Sequence, residues 1–337
     1  MEQELSPPFT ILAPLITLTL PATDEEKTRL GGESEQNFIR LEQTLGVKLL
    51  TRNPGITIQA EDEATAHRAR IALEHMTQAI KTGQQIPEFY LEDLLNSSKP
   101  ANGSDPSGSG AAPALEKPIL MDRYGNPIQA KTRGQAQFVK VVRKYDMIFA
   151  AGPAGTGKTF LAVAMAVQAL EKRLVDRIIL CRPAVESGES LGFLPGMISE
   201  KIAPYMRPLY DALSVMISAD KLREYSEENV VEIAPLAYMR GRTLGRSFII
   251  LDEAQNTTVA QMKMFLTRIG VGSKTVLTGD ESQVDLLDRQ KSGFTHARSI
   301  LAGIEGIGQI ELGLEDIVRH RLVREVIQAY ERDGVKG

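Results

Sequence analysis

Met147-Ile148-Phe149-Ala150-Ala151 runs directly into Gly152-Pro153-Ala154-Gly155-Thr156-Gly157-Lys158-Thr159, and then into Phe160-Leu161-Ala162-Val163-Ala164. Five apolar residues, a glycine-rich turn closing on Lys-Thr, and a helix-forming run read as strand, loop and helix. The pattern G-x-x-x-x-G-K-[ST] in that context is a phosphate-binding loop. Its glycines let successive backbone N–H groups turn inward around the α and β phosphates, and the positive end of the following helix adds to the attraction. Lys158 then reaches the β and γ phosphates as a point charge, and the Thr159 hydroxyl is a ligand for Mg²⁺. The stretch predicts an α/β fold of the P-loop NTPase type, with ATP and Mg²⁺ as cofactors.

Moving outward, short β-rich runs at 177–181, 248–251 and 274–278 alternate with helical patterns at 160–171 and 259–268. This rhythm belongs to a RecA-like parallel sheet with helices on both faces. Phe248-Ile249-Ile250-Leu251 ends in Asp252-Glu253, as a buried strand does when its carboxyl end opens on a ligand crevice. Asp252 is the expected partner of the metal, and Glu253 the acid that orients or deprotonates the attacking water. A third strand ends in Thr278-Gly279-Asp280 with Gln283 close behind, and Asp280 and Gln283 are expected to face the γ-phosphate. Gln135, followed by Phe138, has two readings: it hydrogen-bonds the adenine edge while the ring packs on the base, or it is a solvated helical residue.

The 337 residues carry 42% hydrophobic and 24% charged side chains with a net charge near −4, an ordinary globular composition that is too long for one small core. Such a charge supplies no global pull toward nucleic acid, so any binding of RNA must come from local surfaces. A single cysteine, Cys181, excludes an intrachain disulfide and reads as a small core residue. The apolar stretch 9–20 has Glu2 and Glu4 rather than a basic region before it, contains Pro14, and is too short to span a bilayer, so the reading is cytoplasmic, with no membrane partner.

Residues 97–113 are rich in Ser, Gly and Pro and have almost nothing to bury, which marks a flexible tether and three parts: residues 1–96, a linker at 97–117, and residues 118–337. The first part reads βααββα. A strand alternates at 16–20, helices cover 25–30 and 35–45, two short strands flank Asn53-Pro54-Gly55, and a long amphipathic helix fills 63–81. That order, with Gly31-Gly32-Glu33-Ser34 between its first two helices, resembles a KH domain, an α+β module whose G-x-x-G loop clamps single-stranded nucleic acid. Here a carboxylate sits where a phosphate approaches and the second glycine is absent. RNA contact and protein contact both stay open.

Further motifs complete the pattern: Cys181-Arg182-Pro183 with 187–196, Pro235-Leu236-Ala237-Tyr238-Met239-Arg240-Gly241-Arg242-Thr243-Leu244, Asp252-Glu253-Ala254-Gln255-Asn256, and Asp316-Ile317-Val318-Arg319-His320. Together they resemble the PhoH-family ATPases, related to the ATP core of superfamily 1 helicases, over residues 118–330. Arg321 and Phe294 depart from the family's usual Pro and Leu. The resemblance implies ATP hydrolysis in RNA metabolism, with remodelling or unwinding of single-stranded RNA, or a regulatory scaffold that delivers RNA or a ribonuclease partner. Arg319, with Arg321 in reserve, resembles an arginine finger, which in trans is worth about 10³–10⁵ in rate. About 57 residues follow Asp280, too few for a second RecA-like lobe, so a neighbour's arginine is expected in a homo-oligomer, by resemblance a hexamer. Arg240, Arg242 and Arg246 stand beside glycines, either as a phosphate grip or as a solvated loop. Tyr205 with Arg207 either stacks a base or packs a helix.

Overall fold

The computed structural model describes residues 15–52, 54–97, 117–183, 198–286 and 291–318, with 322, 323, 326 and 329 beyond them. Outside that set lie most of the predicted linker, the 187–196 motif, Arg319 and Arg321. The chain forms two compact units, Met1–Lys117 and Pro118–Gly337.

The first unit is a three-stranded antiparallel sheet in the order β1 (Ile16–Leu20), β3 (Ile56–Ala60), β2 (Lys48–Leu50). Helices α1 (Asp24–Gly31), α2 (Gln36–Leu45) and α3 (Glu63–Lys81) follow the predicted order, and α4 (Glu88–Ser97) is an addition the sequence reading lacks. Capping explains two of the starts. Thr23 and Glu26 form a reciprocal capping box on α1, and Asp62 accepts from Thr65 N–H at 2.7 Å on α3. Leu30, Leu41, Ile56, Ile58, Leu73, Met76 and Leu91 fill its core with no exposed surface.

The second unit opens with a small hairpin, β4 (Leu120–Met121) and β5 (Pro127–Ile128). Helix α5 (Arg133–Lys144) leads into β6 (Met147–Ala151) and α6 (Lys158–Glu171). After β7 (Arg177–Arg182) come α7 (Ile198–Met216), α8 (Ala219–Glu227), β8 (Val231–Pro235) and β9 (Ser247–Leu251). The unit closes with α9 (Val259–Leu266), β10 (Lys274–Gly279), α10 (Gly293–Ile300) and β11 (Ile307–Glu311). Six strands pair in parallel in the order β11-β6-β10-β9-β7-β8.

Side chains alternate across this sheet with period two. Ile148, Ala150, Ile178, Leu180, Ile250 and Val276 join a core with α5, α6 and α7; Phe149, Ala151, Ile179, Cys181, Ile249 and Leu277 join one with α9 and α10. With both faces covered, the interior strands β6, β7, β9 and β10 are largely apolar, which is why they read as continuous runs. Cys181 is fully enclosed, and burial pushes its thiol pKa up, so it is core and not a nucleophile. Among the described residues, no helix is long and apolar enough to cross a membrane.

Candidate nucleotide and magnesium site

All six strands run the same way, so their carboxyl ends share one edge of the sheet. The loop Gly152 to Lys158 leaves β6 there, with Gly152, Gly155 and Gly157 at φ of 145°, 85° and 80°. A side chain on Gly152 has no room: its Cβ would stand 2.5 Å from the Leu312 carbonyl oxygen. Lys158 opens α6 and folds back over the loop, its Nζ donating to the carbonyls of Gly152 at 2.6 Å and Pro153 at 2.8 Å. Burial lowers its pKa, and the charges of Asp280, Glu253 and Asp252 oppose that fall. A desolvated ammonium facing three carboxylates is poised for a polyanion.

Asp252 follows β9, two strands from β6. Its Oδ1 accepts from the Thr159 hydroxyl at 2.6 Å and from the Thr278 hydroxyl at 2.8 Å. The contact brings together the two residues expected to hold Mg²⁺, and Thr278 is an additional support supplied by the intervening strand β10. Among the described residues, no three His, Cys, Asp or Glu side chains cluster to enclose a metal. One hydroxyl and one carboxylate suit Mg²⁺ instead, which takes its remaining ligands from phosphate oxygens and water.

Glu253 has left-handed backbone angles, φ 52° and ψ 39°, unusual for a residue with a side chain. Both of its carboxylate oxygens are engaged: Oε1 lies 3.2 Å from Arg182 Nη2, and Oε2 accepts from Gln255 Nε2 at 2.6 Å. Gln255 is fully buried and does more. Its Nε2 also donates to the Gln283 carbonyl at 3.1 Å, and its Oε1 accepts from Asp280 N–H at 3.1 Å. Sequence reading quotes Gln255 within its motif but assigns it no role; the buried amide in fact joins Glu253 to the end of β10. Its neighbour Asn256 accepts from Asp285 N–H at 2.8 Å and holds the same loop.

Three further predicted residues are tied into the protein around the loop. Asp280 directs its Oδ2 at Ala154 N–H, 3.0 Å away, and its Oδ1 at the Ser282 N–H and hydroxyl, so it braces the phosphate loop from β10. Gln283 is exposed and enters the network through its backbone carbonyl. Gln135 is buried, donates to the Thr156 carbonyl at 3.0 Å and accepts from Lys131 N–H at 2.8 Å, so it is not a solvated helical residue. Asp316 fixes that end of α5 by accepting from the Thr132 hydroxyl and Gly134 N–H. Just before Arg319, Val318 N–H donates to the Gly155 carbonyl at 3.1 Å, beside the chain's own phosphate loop.

The predicted arginine grip is largely spent. Arg242 makes a two-point pair with Glu232 at 2.6 and 2.7 Å, and Arg246 does the same with Asp176 at 2.5 and 2.9 Å. Arg246 precedes β9 and Asp176 precedes β7, which sets this pair at the amino ends of the strands, away from the phosphate loop. Arg240 is exposed. Tyr205 is half-buried, Arg207 is exposed, and the Tyr205 carbonyl accepts from Arg182 Nη1 at 3.0 Å.

A parallel sheet with this loop on β6 and an acid pair after β9 defines the chain as a P-loop NTPase. It belongs to the PhoH-like protein family, whose model matches residues 127–331. It is 45% identical over 310 residues to a PhoH-like protein of Bacillus subtilis, covering 92% of this chain and 95% of that one. A PhoH-like protein of Synechocystis is 44% identical over 318 residues, covering 94% and 95%. Protein PhoH of Escherichia coli K12 is 44% identical over 210 residues, 62% of this chain and 59% of its own. Among solved structures, a Sulfolobus solfataricus SWI2/SNF2 ATPase core in complex with dsDNA overlays with a TM-score of 0.33 at 13% identity, over 58% of this chain and 46% of that one.

Proposed function

We propose that this protein is a Mg²⁺-dependent ATPase of the cytoplasm that binds single-stranded RNA and spends hydrolysis on remodelling or unwinding it. The observation that carries the reading is the contact between Thr159 and Asp252, 2.6 Å apart, with Glu253 next in the chain and the Lys158 ammonium across the loop. When bound, Mg²⁺ draws charge from the β and γ phosphates. Thr159 and Asp252 would hold it, the loop N–H groups and Lys158 would cradle the phosphates, and Glu253 would orient the attacking water and take its proton.

RNA enters through exposed side chains near the carboxyl edge of the sheet. Arg207 and Tyr210 on α7, and Tyr238 and Arg240 after β8, offer cations for phosphate and rings for stacking. The first unit, with exposed Glu33 and Glu35 at its glycine loop, suits partner docking better than phosphate contact. Arg319 completes the site of a neighbouring copy in a homo-oligomer, a hexamer by resemblance. The loss of Arg242 and Arg246 to internal pairs favours a second reading, a regulatory ATPase that delivers RNA or a ribonuclease partner without unwinding.

ATP turnover of the full chain, with and without a single-stranded RNA oligonucleotide, tests the reading together with strand displacement and oligomer mass. RNA-stimulated turnover with strand separation by an assembled ring supports remodelling. Stimulation without separation selects the regulatory reading, and indifference to RNA contradicts both.

A further inference from the structure

We propose that Arg182 is a positioning residue that restrains Glu253 and releases it by exchanging its partner for Asp211. The inference rests on the reading of Glu253 as the residue that activates water. Arg182 is the last residue of β7, beside β9, and its guanidinium is held at two points: Nη2 on Glu253 Oε1 at 3.2 Å and Nη1 on the Tyr205 carbonyl at 3.0 Å. The Arg182 side chain is 20% exposed and that of Glu253 32%, so the pair is sheltered yet not sealed.

A carboxylate that activates water must turn an oxygen toward it. Here the Gln255 amide holds one oxygen of Glu253 and the Arg182 guanidinium is paired with the other, which together fix the direction of the carboxylate. The contact with the guanidinium is charge-assisted, so it is the harder of the two to displace. Arg182 therefore holds Glu253 back. A way out exists beside it: a cavity of about 420 Å³ is bounded by Arg182, Glu253, Thr159, Asp252 and, from α7, Pro208 and Asp211. Asp211 is an exposed carboxylate that lines this cavity, and among the described residues its side chain makes no hydrogen bond or ion pair. Arg182 and Asp211 thus border one cavity, and the carboxylate is the anion that would receive the guanidinium.

The test is ATP turnover of the full chain at saturating Mg²⁺ and without RNA, in variants at both positions. Arg182→Ala and Arg182→Gln are expected to raise kcat about three- to tenfold with KM for ATP unchanged, while Arg182→Lys stays near wild type. Asp211→Asn is expected to lower kcat by a similar factor and to have no effect in the Arg182→Ala background, a coupling that a merely structural role of either residue does not produce. If Arg182→Ala does not fold, Arg182→Gln, which keeps a donor for Tyr205, carries the comparison. A kcat that falls or stays constant in the folded Arg182 variants overturns the restraint. An Asp211→Asn effect of equal size in both backgrounds overturns the exchange. Wild-type turnover by Glu253→Gln overturns instead the reading on which the proposal rests.

Discussion

The hydroxyl of Thr159 donates to Oδ1 of Asp252 at 2.6 Å, joining residues 93 positions apart. Two motifs on separate strands thereby become one donor set, one hydroxyl and one carboxylate facing the phosphate loop.

Thr159→Ala removes one of the two protein groups that would hold Mg²⁺. The Mg²⁺ concentration for half-maximal turnover is expected to rise at least about tenfold, which a titration of ATP hydrolysis measures. Stability is expected to fall by only about 1 kcal/mol in thermal unfolding, because Thr278 still donates to the same oxygen. An unchanged Mg²⁺ requirement would place the metal elsewhere.

Gln255→Leu keeps the volume of a fully buried side chain and deletes three hydrogen bonds, to Glu253, Asp280 N–H and the Gln283 carbonyl. The stranded Asp280 N–H costs about 1–3 kcal/mol. ATP affinity is expected to survive while turnover drops at least about tenfold, since Glu253 loses its tie to β10. Equal losses of binding and turnover would make Gln255 purely structural.

The first unit offers a test in pH. Hydrogen bonds from Thr65, backbone first and hydroxyl second, hold the Asp62 carboxyl below the usual carboxylate range. A depressed acid stabilises the fold fully above its unfolded pKa and loses that contribution as pH falls through the folded one. Asp62→Ala is therefore expected to lower the unfolding midpoint at pH 7 and to behave like wild type in strongly acidic buffer. A deficit that persists unchanged into that range would show that packing rather than the cap is responsible.

Arg240 and Arg242 stand two residues apart and are expected to differ. Arg242→Ala breaks the pair with Glu232 and costs about 0.5–1 kcal/mol of stability with little effect on RNA. Arg240→Ala leaves stability unchanged and weakens single-stranded RNA binding, with a shallower salt dependence, in a filter or anisotropy assay. The reverse pattern would reassign the grip.

The interior strands β6, β7, β9 and β10 are legible because burial on both faces makes them unbroken apolar runs. The strands the sequence does not announce, β8 and β11, are the two edges of the sheet. Ile307-Gly308-Gln309-Ile310-Glu311 leaves residues partly or fully exposed at four of its five positions, so no apolar run marks it. The site divides the same way. Gly152 to Thr159, Asp252 and Glu253 are readable because backbone geometry fixes their spacing within each motif. Gln255 and Arg182 are not, since their partners lie 25 and 71 positions away in the sequence and only the strand order brings them together. The three arginines 240, 242 and 246 read as one cluster in sequence, yet the connection carrying them returns to the far end of the sheet.

Glu253→Gln tests the central claim most directly, because it removes a base while keeping size and hydrogen-bonding capacity. ATP binding and turnover would be measured side by side on the full chain with Mg²⁺. The account predicts ATP affinity within about threefold of wild type and turnover reduced at least about a hundredfold. Turnover close to wild type would show that another group activates water and that the site's chemistry has been assigned to the wrong residue.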